Sequence, residues 1–283
     1  MSGAGPCGSL PPSAAHYSHV VWIFMENHSY RAIVGSREAP YVNRLAGECG
    51  LATNYHNITH PSLPNYVAAT SGLPLAQLSA FGSDCEPGGS CETSAQSIFG
   101  ELPSWRAYEE SMPRGCARED AGEYAVRHNP PPYYTSLRGC SSHDVPYSAL
   151  ARDLAHGTLP AFAFITPNLI DDTHDGTVGQ GDDWLRTHLP AILDAGDYRR
   201  GEVVVFITWD EGEGGSSNDC ARNTSDVGCH VATIVVSPST SASTRSGELF
   251  SHYSLLGSTE QLLHVRLLGE AAHANSMLGA FGL

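Results

Sequence analysis

The strongest constraint on this chain is a set of short, almost wholly apolar runs. HVVWIFM at His19–Met25, AFAFIT at 161–166, VVVFITW at Val203–Trp209 and VATIVVS at 231–237 show no polar alternation. A strand covered on both faces reads this way, whereas a strand with one wet face alternates. GLATNY at 50–55 is a weaker strand candidate. Between these runs, residues 41–49, 64–71, 147–156, 184–195 and 254–268 follow the helical period. Strands alternating with helices predict an α/β fold with a largely parallel central sheet, all four strong runs being parallel members.

A length of 283 residues suits one large domain or two small ones. We read a single domain over 1–283, in which 73–143 stands apart. That stretch is rich in Gly, Pro, Ser and Cys, and the Asn129-Pro130-Pro131-Pro132 run excludes a regular helix there. It is expected as a cap-like, loop-rich excursion on the main sheet. Tyr124, His128, Tyr133, Tyr134 and Arg138 are candidates to line it or to pack within it, and His16, His128, His188 and His273 are expected at the surface. No internal repeat is visible.

Charge removes several functions. Thirty acidic residues against fifteen basic ones give a net charge of −15, which disfavours a nucleic-acid partner. All fifteen basic residues are arginine, so Schiff-base and P-loop lysine chemistry is excluded. The absence of an 18-residue apolar run predicts no stable membrane insertion. The eight cysteines are even in number, scattered and free of any CxxC spacing, which points to disulfides. Cys85 with Cys91 and Cys220 with Cys229 each bracket a short polar loop and are expected as local bridges. The expectation is therefore a secreted, periplasmic or extracellular protein, its leader absent from this chain; the cytoplasm is the less favoured location. Nothing in the sequence fixes the oligomeric state.

In open α/β sheets ligands bind beyond the carboxyl ends of the strands. The residues found there converge in type. Glu26-Asn27-His28 follows the first strand. Asn168, Asp171, Asp172, His174 and Asp175 follow the 161–166 run, and Asp210-Glu211-Gly212 follows the 203–209 run. Each carboxylate alone reads as a loop residue or helix cap. Three strand ends bearing hard oxygen donors read as one divalent-cation site. Carboxylate and amide donors suit Mg, Ca or Mn, while a contributing histidine favours Zn or Fe. A fourth element, Thr59-His60-Pro61-Ser62-Leu63-Pro64-Asn65-Tyr66, sets Ser62 where a helix N-cap would lie. Either Ser62 only caps the helix, or it is a nucleophile at a helix N-terminus, where free N–H groups favour phosphate. No G-x-S-x-G elbow is present, so activation by a metal fits better than a hydrolase triad.

The strings MENHSY, THPSLPNYVAATSG, FITPNLIDDTHD, TWDEGEG and SHYS occur in this order across most of the chain. Together they resemble the phosphoesterase family of acid phosphatases and bacterial phospholipases C, within the alkaline-phosphatase-like superfamily. The likeness is strongest to the compact acid-phosphatase branch. It implies a three-layer sandwich with helices on both faces of the sheet, and a metal-dependent phosphomonoester hydrolase acting on a small-molecule phosphate ester. Under that resemblance Ser62 is the nucleophile that forms a phosphoseryl intermediate. Glu26, Asn27, Asp210 and Glu211 surround one divalent metal ion, which is Mg, Ca, Mn, Zn or Fe. His174 touches the transferred phosphoryl group or protonates the leaving alkoxide. Asn65, Asn168, Asp172 and His252 are further substrate or phosphate contacts, and His252 reads equally well as a neighbour of a helix N-cap. Two positions depart from the family pattern: Thr173 replaces a glycine between Asp172 and His174, and Gly212 follows Asp210-Glu211 in a glycine-rich loop. The alternative reading is a phospholipase C-type phosphodiesterase. A non-catalytic binding protein and a sulfatase fit less well, because the candidate ligands are all present and the sulfatase nucleophile motif is absent.

Overall fold

The computed structural model describes residues 5–215 and 217–283. Its strands, in chain order, are β1 (His19–Met25), β2 (Gly50–Ala52), β3 (Tyr55–His56), β4 (Trp105–Glu109), β5 (Asp144–Pro146), β6 (Phe162–Thr166), β7 (Val203–Trp209), β8 (Thr233–Val236), β9 (Arg245–Ser246) and β10 (Phe250–Ser251). One sheet runs in the order β5-β4-β6-β1-β7-β8-β2-β9, and β3 pairs with β10 outside it. β1 lies at the centre, parallel to β6 on one side and to β7 on the other.

Side-chain alternation along β1 shows why its sequence is apolar throughout. Trp22 Nε1 donates to Thr259 Oγ1 at 2.9 Å, and the Phe24 ring lies 5.3 Å from that of Tyr66. That face is covered by the Ser62–Ser71 and His252–Leu262 helices, which pack on each other. Met25 points the other way, where a methyl on Gly181 would come within 2.9 Å of its Cε. The Pro40–Glu48 and Val178–Leu193 helices cover this second face. The result is a three-layer α/β sandwich, a mostly parallel sheet between two layers of helices.

Four expectations need correcting. The 231–237 run is not parallel: β8 is antiparallel to both β7 and β2. The Asp210–Ala232 connection stays at the carboxyl end of β7, since Thr208 pairs with Thr233, so the chain must run back. The 73–143 segment is more than a covering excursion, because β4 is an interior strand, parallel to β6 over Trp105↔Phe162 to Glu109↔Thr166. The fourth helix starts at Val178, six residues early, where Thr177 and Gln180 form a reciprocal capping box ahead of a glycine-rich first turn. The last long helix ends at Leu262, six residues short, where the backbone turns left-handed at His264 (φ 56°).

Both expected local bridges form, Cys85–Cys91 and Cys220–Cys229. Cys7–Cys49 and Cys116–Cys140 complete the set, so every cysteine is paired. Among the described residues no helix is long and apolar enough to cross a membrane.

Candidate active site

The carboxyl ends of β1, β6 and β7 are stitched together by backbone bonds. Asp210 N donates to Met25 O at 2.9 Å, and Glu26 N donates to Asp172 O at 2.8 Å. Thr173 Oγ1 donates to Glu26 O at 2.7 Å. Asn27 adopts φ 59°, a left-handed turn that asparagine tolerates, and its N–H reaches Asp210 Oδ1 at 3.1 Å. These contacts bring Glu26, Asp172 and Asp210, all fully buried, to one place, with Glu211 8 % exposed beside them. Thr173 holds φ 82°, unusual for a β-branched residue, and a methyl on Gly181 would sit 2.3 Å from its Cγ2. The threonine that replaces the expected glycine is thus accommodated by a glycine on the facing helix.

Ser62 is the first residue of its helix, and Pro61 takes the N-cap position that had been expected of Ser62. The hydroxyl therefore makes no cap. It donates instead to Glu26 Oε2 at 3.0 Å, and Tyr66 Oη, one turn on, donates to Glu26 Oε1. His60 Nδ1 and Asn65 Nδ2 both approach Glu211 Oε2, at 2.9 and 3.3 Å. Asp210 and Glu211, adjacent in sequence, so diverge: Asp210 meets Asn27 N–H and the Ser62 hydroxyl, and Glu211 meets His60 and Asn65.

The electrostatics of this cluster are those of a site short of positive charge. Burial raises the Glu26 carboxyl well above its ordinary value, and the charges of Asp210 and Asp172 raise it further. Burial also raises Asp210, assisted by Glu211, and it raises Asp172. Glu211 rises through burial, opposed by its bond to His60. Burial alone would lower His60, but the hydrogen bond and charge of Glu211 carry it upward. Four such groups cannot all be anionic together without a cation.

His128 was expected at the surface, and the structure overturns this. The residue is 2 % exposed, its Nδ1 lies 3.1 Å from Asp172 Oδ2, and its Nε2 lies 3.4 Å from Glu26 Oε1. Its ring stacks on Tyr66, with centroids 5.6 Å apart. Burial and the neighbouring Arg127 charge hold it well below the usual histidine range, so the imidazole is neutral. Nδ1–H then donates to Asp172, leaving the Nε2 lone pair turned toward Glu26. His174 stands at the mouth, its side chain 24 % exposed. Its Nδ1 donates to Asp175 Oδ1 at 2.7 Å, and its Nε2 accepts from Arg127 at 3.2 Å.

Several expected contacts are engaged elsewhere. Asn65 Oδ1 accepts from Ile58 N and Thr59 N, and its Nδ2 donates to Thr59 O and Pro61 O, so it shapes the Ser62 loop. Asn168 Oδ1 accepts from Ile170 N and Asp171 N, folding the turn that presents Asp172. His252 is fully buried, with Nε2 2.6 Å from Asp210 O and Nδ1 3.0 Å from Tyr55 Oη. It supports Asp210 from behind. Burial lowers its pKa to about 4, so the ring is neutral. Asn27 enters through its backbone. Tyr124 and Tyr133 bond within the 73–143 segment, Tyr134 packs on the main core with its hydroxyl on Thr70 and Val67 O, and Arg138 is exposed. The residues missed from sequence are His128, Arg127, Tyr66 and His60. The last two lie inside the THPSLPNY string already singled out, and the first two lie in an Arg-His-Asn-Pro stretch where His128 was named only as a surface residue or a candidate to line or pack the 73–143 segment.

The donor set fits a divalent cation. Among the described residues, the buried atoms Asp210 Oδ2 and His128 Nε2 have no hydrogen-bond partner. Glu26, His128 and His174 offer donor atoms all within 4.8 Å of one another. Two further His/Cys/Asp groupings rest on disulfide sulfurs and are not ligand sets. A cavity of 530 Å³ lined by Tyr41, Arg44, Pro190, Tyr198 and Pro238 lies at the opposite end of the sheet and takes no part in this cluster.

A mostly parallel sheet with a serine at a helix start and acidic groups on three strand ends suits a phosphoric ester hydrolase. The fold has a solved counterpart: a Vibrio parahaemolyticus protein of the alkaline-phosphatase superfamily superposes with TM-score 0.61 at 10 % identity, covering 92 % of this chain and 70 % of that one. The Phosphoesterase family matches residues 35–266, and the chain belongs to it. A phosphatidylinositol-3-phosphatase of Mycobacterium tuberculosis is 32 % identical over 99 % of this chain and 88 % of its own length. An acid phosphatase of Aspergillus fumigatus is 28 % identical over 67 % of this chain, which spans 43 % of that protein.

Proposed function

We propose that this protein is a metal-dependent phosphomonoesterase in which Ser62 is the nucleophile. The observation that carries the reading is the Ser62 hydroxyl, free of any capping role, on the Glu26 carboxylate at 3.0 Å. A bound divalent ion would neutralise phosphate charge and favour the serine alkoxide. Glu26, Asp210, Glu211 and the His128 imidazole are the groups that would hold it. A nitrogen donor moves the set away from all-oxygen ions and toward Zn, Fe or Mn. Asp172 then fixes the His128 tautomer, and Asn65, Asn168 and His252 hold the loops that present the ligands.

In this account Ser62 Oγ attacks phosphorus as Glu26 receives the hydroxyl proton. The new Oγ–P bond forms while the ester P–O bond breaks, and His174, open to solvent and protonated from it at Nε2, gives that proton to the leaving alkoxide. Water then hydrolyses the phosphoserine. The positive end of the Ser62–Ser71 helix dipole favours the phosphoryl charge, while Leu63 N–H is already held by Asp84 Oδ1 at 2.9 Å. The substrate class is phosphomonoesters, with an inositol-lipid 3-phosphate a candidate by likeness to the mycobacterial relative. Four disulfides support an oxidising, extracytoplasmic setting. The test is turnover of p-nitrophenyl phosphate by Ser62→Ala. The expected loss is at least about a hundredfold, or ~3 kcal/mol of barrier. Retained turnover above that level removes Ser62 from the nucleophile role.

A further inference from the structure

We propose that Arg127 is the substrate-charge sensor of this site: it engages the terminal oxygens of a phosphomonoester and thereby sets the preference for monoesters over diesters. The proposal rests on the phosphomonoesterase reading above and names the group that selects its substrate. Arg127 lies on the 3-10 turn Val126–His128, directly beside His128 in the chain. Its Nη2 donates to His174 Nε2 at 3.2 Å, the imidazole nitrogen turned to the mouth of the site. Its Nη1 lies 3.7 Å from Asp120 Oδ2, a carboxylate 54 % exposed and thus a weak, solvated partner. Among the described residues these are its hydrogen-bond and ion-pair contacts. A guanidinium has five N–H donors, so most of its fork is unengaged although its side chain is only 19 % exposed. Other arginines are held differently: Arg106 by Asp153, Arg118 by Glu92, Arg200 by Asp197 and Glu202, and Arg266 by Glu101, each directly on a carboxylate.

The chemistry follows from what the two ester classes present. A monoester brings three terminal oxygens and up to two negative charges; a diester brings two oxygens and one charge. The third oxygen is the one an additional cation can reward. The chain has no lysine, and the interior of the site is acidic, so a fixed cation at the mouth must be arginine. A planar fork suits bidentate contact with phosphate oxygens. Asp84 and Glu211 also face this mouth, and their negative charge opposes a second anion unless Arg127 offsets it.

The experiment compares Arg127→Ala and Arg127→Lys with the wild type on p-nitrophenyl phosphate and bis(p-nitrophenyl) phosphate, with competitive inhibition by inorganic phosphate as a binding readout. The expected result is that Arg127→Ala lowers kcat/KM for the monoester at least about tenfold more than for the diester. Phosphate inhibition weakens in parallel, Lys recovers part of the loss, and added guanidinium recovers part of it in the alanine variant. Equal losses on both esters with unchanged phosphate inhibition overturn the proposal, because they assign Arg127 to holding His128 and His174. An unmoved monoester rate also overturns it. A wild-type enzyme that turns over only the diester overturns the phosphomonoesterase reading as well, whereas a wild-type monoesterase with an unmoved ester ratio overturns the arginine's role alone. Thermal unfolding of both variants separates loss of contact from loss of fold.

Discussion

Two regions deliver the site, and they do so by opposite means. Glu26 and Asp210 follow β1 and β7, which pair residue for residue from His19↔Val203 to Met25↔Trp209. Their placement is inherited from a ladder buried on both faces. Arg127 and His128 come from a three-residue turn in the 73–143 segment, where no long strand or helix fixes them. That turn is held by side chains: Asn129 Nδ2 donates to Asp144 Oδ2 and to Tyr124 Oη, both at 2.9 Å, and Tyr66 stacks under His128. The Cys116–Cys140 bridge spans it. The strand ends thus supply acidic groups on a rigid base. The inserted segment supplies a nitrogen donor, His128, and the cation on a support built from individual contacts. Such a support is the easier of the two to alter without disturbing the sheet.

The largest expected break in this comparison is His128→Ala. If the inserted segment belongs to the site, activity falls by about 10- to 100-fold while the melting temperature changes modestly. Steady-state kinetics beside metal content by mass spectrometry checks both; a full-activity variant would return the segment to a covering role. Next comes the double variant Cys116→Ser/Cys140→Ser. Opening this 24-residue loop is expected to cost about 3 kcal/mol. Hydrogen exchange should accelerate within 110–146, while the β1 and β7 amides stay protected; equal acceleration in those strands would erase the distinction between the two supports.

The smallest effect concerns pH. Burial raises the Asp144 carboxyl from 3.8 to about 7, and burial with the Asp144 charge raises Glu109 well above its ordinary value. Between those two values the unfolded chain has released the Asp144 proton and the folded chain keeps it. Stability contributed by the protonated form is therefore complete at acidic pH and is lost as pH rises toward 7 and beyond. Asp144→Asn removes the titration and should flatten the decline in melting temperature between pH 5 and about pH 8. Parallel curves for the two proteins would show that Asp144 ionises normally in the fold.

The same contrast explains what the sequence could and could not convey. β1, β6 and β7 were legible because burial on both faces forces an apolar run, and the acidic residues beyond their ends were legible by position. Ser62 and His174 were singled out through motifs. β8 was found but its direction was not, since direction depends on where the Asp210–Ala232 connection travels. His128 was misplaced because a histidine between Arg127 and Asn129-Pro130 carries no periodicity; only tertiary contact with Asp172 and Glu26 reveals it. Asn65, Asn168 and His252 were read as substrate or phosphate contacts, but a buried amide or imidazole can bind substrate or satisfy backbone, and residue type does not distinguish these. Their partners describe the present engagement: backbone groups hold all three, with Glu211 added for Asn65, Ser111 for Asn168 and Tyr55 for His252.

The central claim is that Ser62 carries the phosphoryl group. Wild-type protein should be mixed with excess p-nitrophenyl phosphate, quenched in acid within the first turnover, digested and mapped by mass spectrometry. The account predicts phosphate on Ser62, absent from the Ser62→Ala protein and diminished when metal is stripped beforehand. Single-turnover product release with no phosphate on Ser62 at any quench time, or phosphate located on a histidine instead, would contradict it.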